Sequence, residues 1–266
     1  MNYKIIATDF DGTLLKSDKT VSEKTKNAII NYKKENHIII GVTARNLSSV
    51  KSILDIKMFN YLILNNGAYL YDVEKDEGKY IKSIDKETIQ RLTNYFKDKA
   101  DGIDYITAEK YYMYRNRGKI DKRSFVVNIK DADDVKDYVS RINVMPSTNR
   151  ELEPYKEFIK KNYEDLDCIS MRDTDVGKEN KTWIAINPKG VNKLTTLQKL
   201  CEELNISTDN VIFFGDSTND IEIIKNVGLG VAMGNALPEV IQIAKETTIT
   251  NDEDGVVYFL EKIFGV

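Results

Sequence analysis

The sequence predicts an α/β protein: a parallel sheet covered by helices on both faces, split by an inserted α+β segment. Three observations predict it. Short, continuously apolar stretches alternate with helical ones up to about residue 82 and again after Pro188-Lys189-Gly190, the pattern of parallel strands buried on both sides. Between these regions the alternation gives way to tyrosine-rich, strand-like segments mixed with helical ones. Lastly, the first apolar run, Tyr3-Lys4-Ile5-Ile6-Ala7-Thr8, leads straight into Asp9-Phe10-Asp11-Gly12-Thr13-Leu14. That places two carboxylates at the carboxyl end of a strand, where ligands of such sheets collect.

The elements follow in order. A strand over 3–9 precedes a helix over 22–35, where Val21, Ala28, Ile29 and Tyr32 recur at helical spacing. Next come a strand at 37–42, a helix at 47–54 and the strand Tyr61-Leu62-Ile63-Leu64. The inserted part reads as a helix over 85–99, strands around 103–114 and 124–129, helical pieces at 132–141 and 154–161, and strands at 166–171 and 182–187. Its sheet is expected to be mostly antiparallel. Alternation resumes with a helix over 191–204, the strand Val211-Ile212-Phe213-Phe214, a helix at 219–225 and the strand Gly228-Leu229-Gly230-Val231. A helix at 237–244, a strand at 247–249 and a helix at 254–264 close the chain. The simplest architecture is a split core, residues 1–82 and 189–266, with a cap over 83–188.

Bulk properties exclude several classes. The chain has 266 residues, 41% of them hydrophobic and 30% charged, enough to build a core in one large domain or two modest ones. A net charge of −3 with both signs interspersed gives no electrostatic case for nucleic acid. The longest apolar runs, such as His37-Ile38-Ile39-Ile40-Gly41-Val42, fall far short of a membrane span. With no basic-then-apolar leader at the start, the expected location is the cytoplasm. Cys168 and Cys201 read as two reduced, buried thiols.

Side chains at i and i+2 share one face while a chain stays extended, so Asp9 and Asp11 are expected to point the same way. Their repulsion calls for a cation between them or a retained proton. Mg²⁺ takes oxygen ligands in this arrangement and leaves positions for water and phosphate. A solvated turn is the plain alternative; a calcium loop is not, since the stretch that should close in Glu runs into Thr20 and Val21. Three further strand ends carry related chemistry. Thr43-Ala44-Arg45 offers a hydroxyl and free N–H groups at a helix start, a phosphate cradle or merely an N-cap. Gly215-Asp216-Ser217-Thr218-Asn219-Asp220 repeats glycine and paired carboxylates after an apolar strand; Asp216 suits a metal ligand, Asp220 support around it and Asn219 a donor to substrate oxygens. Lys193 opens a helix at its positive end, where an anion nearby would account for it; an ordinary surface lysine is the plain alternative. His37, the single histidine, lies at the amino end of its strand and reads as structural or exposed.

These segments resemble the four ordered motifs of the haloacid dehalogenase (HAD) superfamily: Asp9-Phe10-Asp11-Gly12-Thr13-Leu14, Thr43-Ala44-Arg45, Lys189-Gly190-Val191-Asn192-Lys193 and Gly215-Asp216-Ser217-Thr218-Asn219-Asp220. Val231-Ala232-Met233-Gly234-Asn235-Ala236 and Asp254-Gly255-Val256 extend the likeness to its Cof-like branch with a type IIB cap. The resemblance spans essentially the full length. It implies a Rossmann-like, doubly wound parallel sheet core with an inserted α+β cap domain, and Mg²⁺-dependent hydrolysis of small phosphate monoesters through an aspartyl-phosphate. By it, Asp9 is the nucleophile and Asp11 the general acid and base. The ion is held by Asp9, the Asp11 backbone carbonyl and Asp216, while Thr43, the Ala44 N–H, Lys193 and Asn219 hold the phosphoryl oxygens.

Two departures stand out. Ala44 replaces the usual glycine, which alanine can do unless φ is positive. Ala185 lies where relatives often carry an acidic residue facing the substrate, which opens the question of the leaving group. Tyr111, Tyr112, Tyr114, Arg115 and Arg117 suit either strand packing or a phosphorylated sugar. The expected partner is a small phosphorylated metabolite, with the chain a monomer or weak homo-oligomer. Two alternatives stay open: a phosphomutase acting on sugar phosphates, and a non-catalytic phospholigand sensor.

Overall fold

The computed structural model describes residues 3–115, 124–147, 152–172 and 182–265. The chain divides into two compact units: Met1–Arg45, Val50–Tyr80 and Asn192–Val266 form one, Asn46–Ser49 with Ile81–Val191 the other. Among the described residues, no helix is long and apolar enough to cross a membrane.

The first unit is built on β1 (Ile5–Thr8), β2 (Ile38–Val42), β3 (Tyr61–Leu64), β4 (Tyr69–Asp72), β5 (Glu77–Ile81) and, late in the chain, β12 (Val211–Gly215), β13 (Leu229–Ala232) and β14 (Glu246–Thr247). Its sheet runs β14-β13-β12-β1-β2-β3-β4-β5. β1 lies between β2 and β12, parallel to both, with Ile5 opposite Ile38 and Val211. All four residues of β1 and all five of β12 are buried, as expected of central strands covered on both faces. Helices α1 (Glu23–Lys34), α2 (Leu47–Lys51), α5 (Lys193–Glu203), α6 (Ile221–Asn226), α7 (Pro238–Ile243) and α8 (Gly255–Phe264) connect the strands, α2 spanning both units. Two of these starts are capped by side chains: Ser22 accepts from the Thr25 N–H at α1, and Asn192 with Thr195 forms a capping box at α5. His37 stands just before β2, its ring against Tyr32 and Phe264.

The second unit carries β6 (Ala100–Ile106), β7 (Tyr111–Arg115), β8 (Val126–Ile129), β9 (Arg141–Pro146), β10 (Leu166–Arg172) and β11 (Thr182–Pro188), in the order β10-β11-β9-β6-β7-β8. Its pairings are antiparallel except β7 with β8. Helices α3 (Lys86–Phe96) and α4 (Leu152–Asn162) supply Ile89, Leu92, Phe96, Tyr155 and Ile159 to a core with Ile103, Tyr105, Ile142, Val144, Ile184 and Ile186. Tyr112 and Tyr114 pack into this core. Ala185 is fully buried, opposite Asn143 and Ile169. Arg117 lies outside the described residues.

Several expectations need correction. Residues 132–141 do not form a helix. A single turn, Ala132–Asp134, is closed by reciprocal side-chain bonds from Asp131 and Asp134, short acidic residues that compete with helix continuation. The segment then enters β9, where Ile142 and Val144 point into the core and Arg141 and Asn143 alternate with them. The strand–helix alternation expected up to residue 82 is broken by β4, antiparallel to β3, with β5 beyond it at the sheet edge. The helix expected over 47–54 stops at Lys51.

Candidate active site

β1 ends at Thr8, and the extended backbone ends with it. Asp9 and Asp11 therefore do not share a face as expected; their side chains part. The Lys193 ammonium donates to Asp9 Oδ1 at 2.7 Å. Asp11 instead receives Arg45 in a two-pronged contact, Nε to Oδ2 and Nη2 to Oδ1, both at 2.7 Å. Lys19 adds a third bond at 3.2 Å. Between the two aspartates the chain turns at Phe10, and Gly12 holds φ +78°. A Cβ there would lie 2.4 Å from Asp216 Oδ2, so both the conformation and the space demand glycine.

Asp216 follows β12, beside Asp9's strand. Thr13 donates its hydroxyl to Asp216 Oδ1 at 2.9 Å. Asp220, four residues on and fully buried, takes Lys193 on Oδ1 at 2.7 Å. Its Oδ2 accepts the backbone N–H groups of Asp216 and Ser217, both at 3.1 Å. Lys193, at the first turn of α5 and only 2% exposed, thus bridges Asp9 and Asp220. Thr43 is buried after β2, and its hydroxyl accepts the Arg45 N–H at 3.2 Å. Ala44 is not among the residues of positive φ, so alanine occupies this position without strain. Asn219 donates from Nδ2 to Asn66 Oδ1 at 3.3 Å.

One oxygen each of Asp9, Asp216 and Asp220 lie within 4.8 Å of one another. Burial raises Asp9's pKa well above the ordinary range; Lys193 opposes the rise, while Asp220 and Asp216 add to it. Burial, followed by repulsion from Asp220, pushes Asp216 up to about 7. Asp11 goes the other way. Its burial favours a proton, but Arg45 and Lys19 together outweigh that and hold the carboxyl below its ordinary value. Desolvation works against the Lys193 charge, but Asp220 and Asp9 overcome it and raise its pKa. The arrangement fits a divalent cation: the donors are hard oxygens, and a dication would offset the burial and the mutual repulsion that push Asp9 and Asp216 up. Both Asp220 oxygens are already engaged, which suits support better than ligation. Asp9 and Asp216 each keep a second oxygen without a hydrogen bond among the described residues.

A family model described as haloacid dehalogenase-like hydrolase matches residues 6–260. The chain belongs to this family. Like other HAD hydrolases it is an enzyme, and its class is phosphatase. A 5-amino-6-(5-phospho-D-ribitylamino)uracil phosphatase of Bacillus subtilis is 32% identical over 279 residues, covering 98% of each chain. Among solved structures, a haloacid dehalogenase-like hydrolase from Bacteroides thetaiotaomicron has a TM-score of 0.83 at 23% identity, with 98% of this chain and 100% of that chain covered. A HAD subclass IIB sugar phosphatase superposes with a TM-score of 0.75 at 19% identity, over 98% and 99% of the two chains. At these identities the likeness concerns the HAD fold.

Sequence reasoning named Asp9, Asp11, Thr43, Ala44, Lys193, Asp216, Asn219 and Asp220, all in the first unit. It missed the Arg45 grip on Asp11, and it missed Asn66. Arg45 was visible only as a member of its motif. Asn66-Gly67 was visible as a turn dipeptide, with nothing to say what the turn holds. Asn235 is a further addition: its Nδ2 donates to the Gly12 carbonyl at 2.8 Å, and its Oδ1 accepts the Asn251 N–H at 3.0 Å.

Proposed function

We propose that this protein is a Mg²⁺-dependent phosphatase of small phosphate monoesters, working through an aspartyl-phosphate on Asp9. The observation that carries the reading is the convergence of Asp9, Lys193, Asp216 and Asp220 at the ends of β1 and β12 and the start of α5. Asp9 attacks phosphorus, and the ester oxygen leaves with a proton from Asp11. Water, giving its proton to Asp11, then attacks the aspartyl-phosphate and releases inorganic phosphate and free Asp9. Asp9, the Asp11 backbone carbonyl and Asp216 would hold Mg²⁺, which when bound offsets repulsion between the carboxylate and the phosphate. Thr43, the Ala44 N–H, Lys193 and Asn219 hold the non-bridging oxygens. Asp220 fixes Lys193 and the backbone that carries Asp216.

Arg45 bears on the order of events. Gripped by Arg45 and Lys19, Asp11 is ionised, the form of a base. To act first as an acid it must acquire a proton, so in this reading the grip loosens as substrate arrives.

The substrate class we favour is sugar phosphates and their relatives. The sugar phosphatase with this fold and the phosphoribitylaminouracil phosphatase of B. subtilis support it. We read residues 83–188 as the cap that selects the leaving group, and 1–82 with 189–266 as the core. A release assay over sugar phosphates, nucleotides and pyridoxal phosphate, with Mg²⁺ and then with EDTA, tests the reading. It predicts free phosphate that disappears on chelation. Isomerised sugar phosphate without free phosphate would make the protein a mutase; binding without turnover across the panel would make it a sensor.

A further inference from the structure

Asn66 is buried in the turn after β3 and has no part in the chemistry set out above. Asn65 and Asn66 both hold left-handed backbone, φ 52° and 56°, and Gly67 follows at φ +101°. Consecutive non-glycine residues in this region persist only where their surroundings hold them. Here the holding contacts are specific. The Asn65 N–H donates to the Arg45 carbonyl and the Asn66 N–H to the Thr43 carbonyl, each at 3.0 Å. The Thr196 hydroxyl donates to the Gly67 carbonyl at 2.6 Å. A Cβ on Gly67 would lie 2.1 Å from the Asn192 carbonyl oxygen. The turn is therefore stitched to the loop that bears Thr43 and to the helix start that bears Lys193.

The Asn66 side chain, in a residue 7% exposed, receives the Asn219 amide on Oδ1. Asn66 Nδ2 and Asn219 Oδ1 are then both shut away from solvent with no partner among the described residues. Exchanging oxygen and nitrogen in both amides leaves the same inventory, one NH₂ and one carbonyl. Buried amide groups are rarely left unmet, because each forfeits its hydrogen bonds to water. A pair that keeps one donor and one acceptor is suited to a ligand offering both: a phosphoryl oxygen and an adjacent hydroxyl.

We propose that Asn66 is a substrate-binding residue that acts with Asn219 as a paired amide grip on the phosphoryl group. Asn66 Nδ2 donates to a non-bridging oxygen, while Asn66 Oδ1 fixes the Asn219 amide so that its second Nδ2 hydrogen is directed at the phosphoryl group and its Oδ1 at the adjacent hydroxyl. Its two neighbours in the fold, the Thr43 loop and the start of α5, are the segments that present N–H groups and a lysine for an anion, which is why the ligand is a phosphate. This deepens the phosphatase reading and rests on it.

The test uses Asn66→Gly in the full chain, because glycine accepts the left-handed turn and removes only the side chain. Three quantities are measured: the affinity for inorganic phosphate with Mg²⁺ present, by calorimetry, and kcat and KM for p-nitrophenyl phosphate. Phosphate binding should weaken about tenfold, the worth of one hydrogen bond to a charged group. The kcat/KM should fall at least as far, with the thermal midpoint within a few degrees of wild type. Asn219→Ala should cost less in the Asn66→Gly background than in wild type, since Asn66 sets the direction of the Asn219 amide. Asn66→Asp keeps the turn and the acceptor for Asn219 but sets a carboxylate against the phosphate, so it should bind phosphate more weakly than Asn66→Gly. Phosphate affinity within twofold of wild type in Asn66→Gly, or fully additive losses in the double variant, would overturn the proposal. Absence of ester turnover in the wild type would instead count against the phosphatase reading, while a phosphate affinity sensitive to Asn66 would still support the grip.

Discussion

Lys193 is the residue on which the most electrostatics converges. It is buried against Asp9 and Asp220 at 2.7 Å each, and removing it leaves two buried carboxylates facing each other. Breaking such an arrangement by deleting one partner costs about 3–5 kcal/mol, so Lys193→Met should lose that much in urea unfolding and lose activity with it. Unchanged stability would mean that Asp9 and Asp220 do not depend on the buried ammonium for their compensation. Asp11 allows a pH prediction. Its pKa is held down by Arg45 and Lys19 against the effect of burial, and its acid form is the one needed to protonate the leaving group. Arg45→Gln removes the stronger cation, so Asp11's pKa rises and its acid form survives to higher pH. The basic limb of the kcat/KM profile should therefore move upward; a limb that stays put, or moves down, would take Asp11 out of the acid role. Both cysteines have thiols pushed up by burial, Cys168 to about 12 and Cys201 to about 11. Each should be alkylated by iodoacetamide at pH 8 far more slowly than a peptide thiol, because little thiolate is present.

At the scale of elements, the structure shows what a sequence can and cannot disclose. β1, β2, β3 and β12 were legible because a strand buried on both faces must be apolar throughout, and Ile38-Ile39-Ile40 or Val211-Ile212-Phe213-Phe214 has few other uses. β9 was not. Its alternation of Ile142 and Val144 with Arg141 and Asn143 is short, and the acidic run Asp131 to Asp134 just before it carries helix-start chemistry that closes only one turn. The β4–β5 extension of the sheet was missed for a related reason: Tyr69, Leu70 and Tyr71 fit a strand, but antiparallel pairing with β3 is decided by the contact, not by either segment. In the candidate site, residues whose partners lie far along the chain were legible only as types. Asp9 could be named, whereas its bond to Lys193, 184 residues away, could not. The α3–α4 layer gives an element-scale prediction. Phe96 is fully buried with its ring 4.8 Å from Tyr95 and 4.9 Å from Tyr155, so Phe96→Ala should cost about 3–5 kcal/mol of stability. A loss below about 1 kcal/mol by urea titration would mean the core of the second unit collapses around the gap.

For the whole molecule, a cation that binds the folded acidic cluster and ignores the unfolded chain must stabilise the fold. At one hundred times its dissociation constant the gain is about 2.7 kcal/mol, and the thermal midpoint should rise with Mg²⁺ concentration. Asp216→Asn should abolish the rise. A midpoint indifferent to Mg²⁺ in the wild type would sever the acidic cluster from metal binding. The central claim is that Asp9 becomes phosphorylated during turnover, and its most direct measurement is peptide mapping of enzyme quenched in acid while hydrolysing a phosphate ester. A phosphoryl group should be found on the peptide containing Asp9 and be absent from Asp9→Asn, which should fold normally and release no phosphate. Phosphate release at the wild-type rate by Asp9→Asn would contradict that claim.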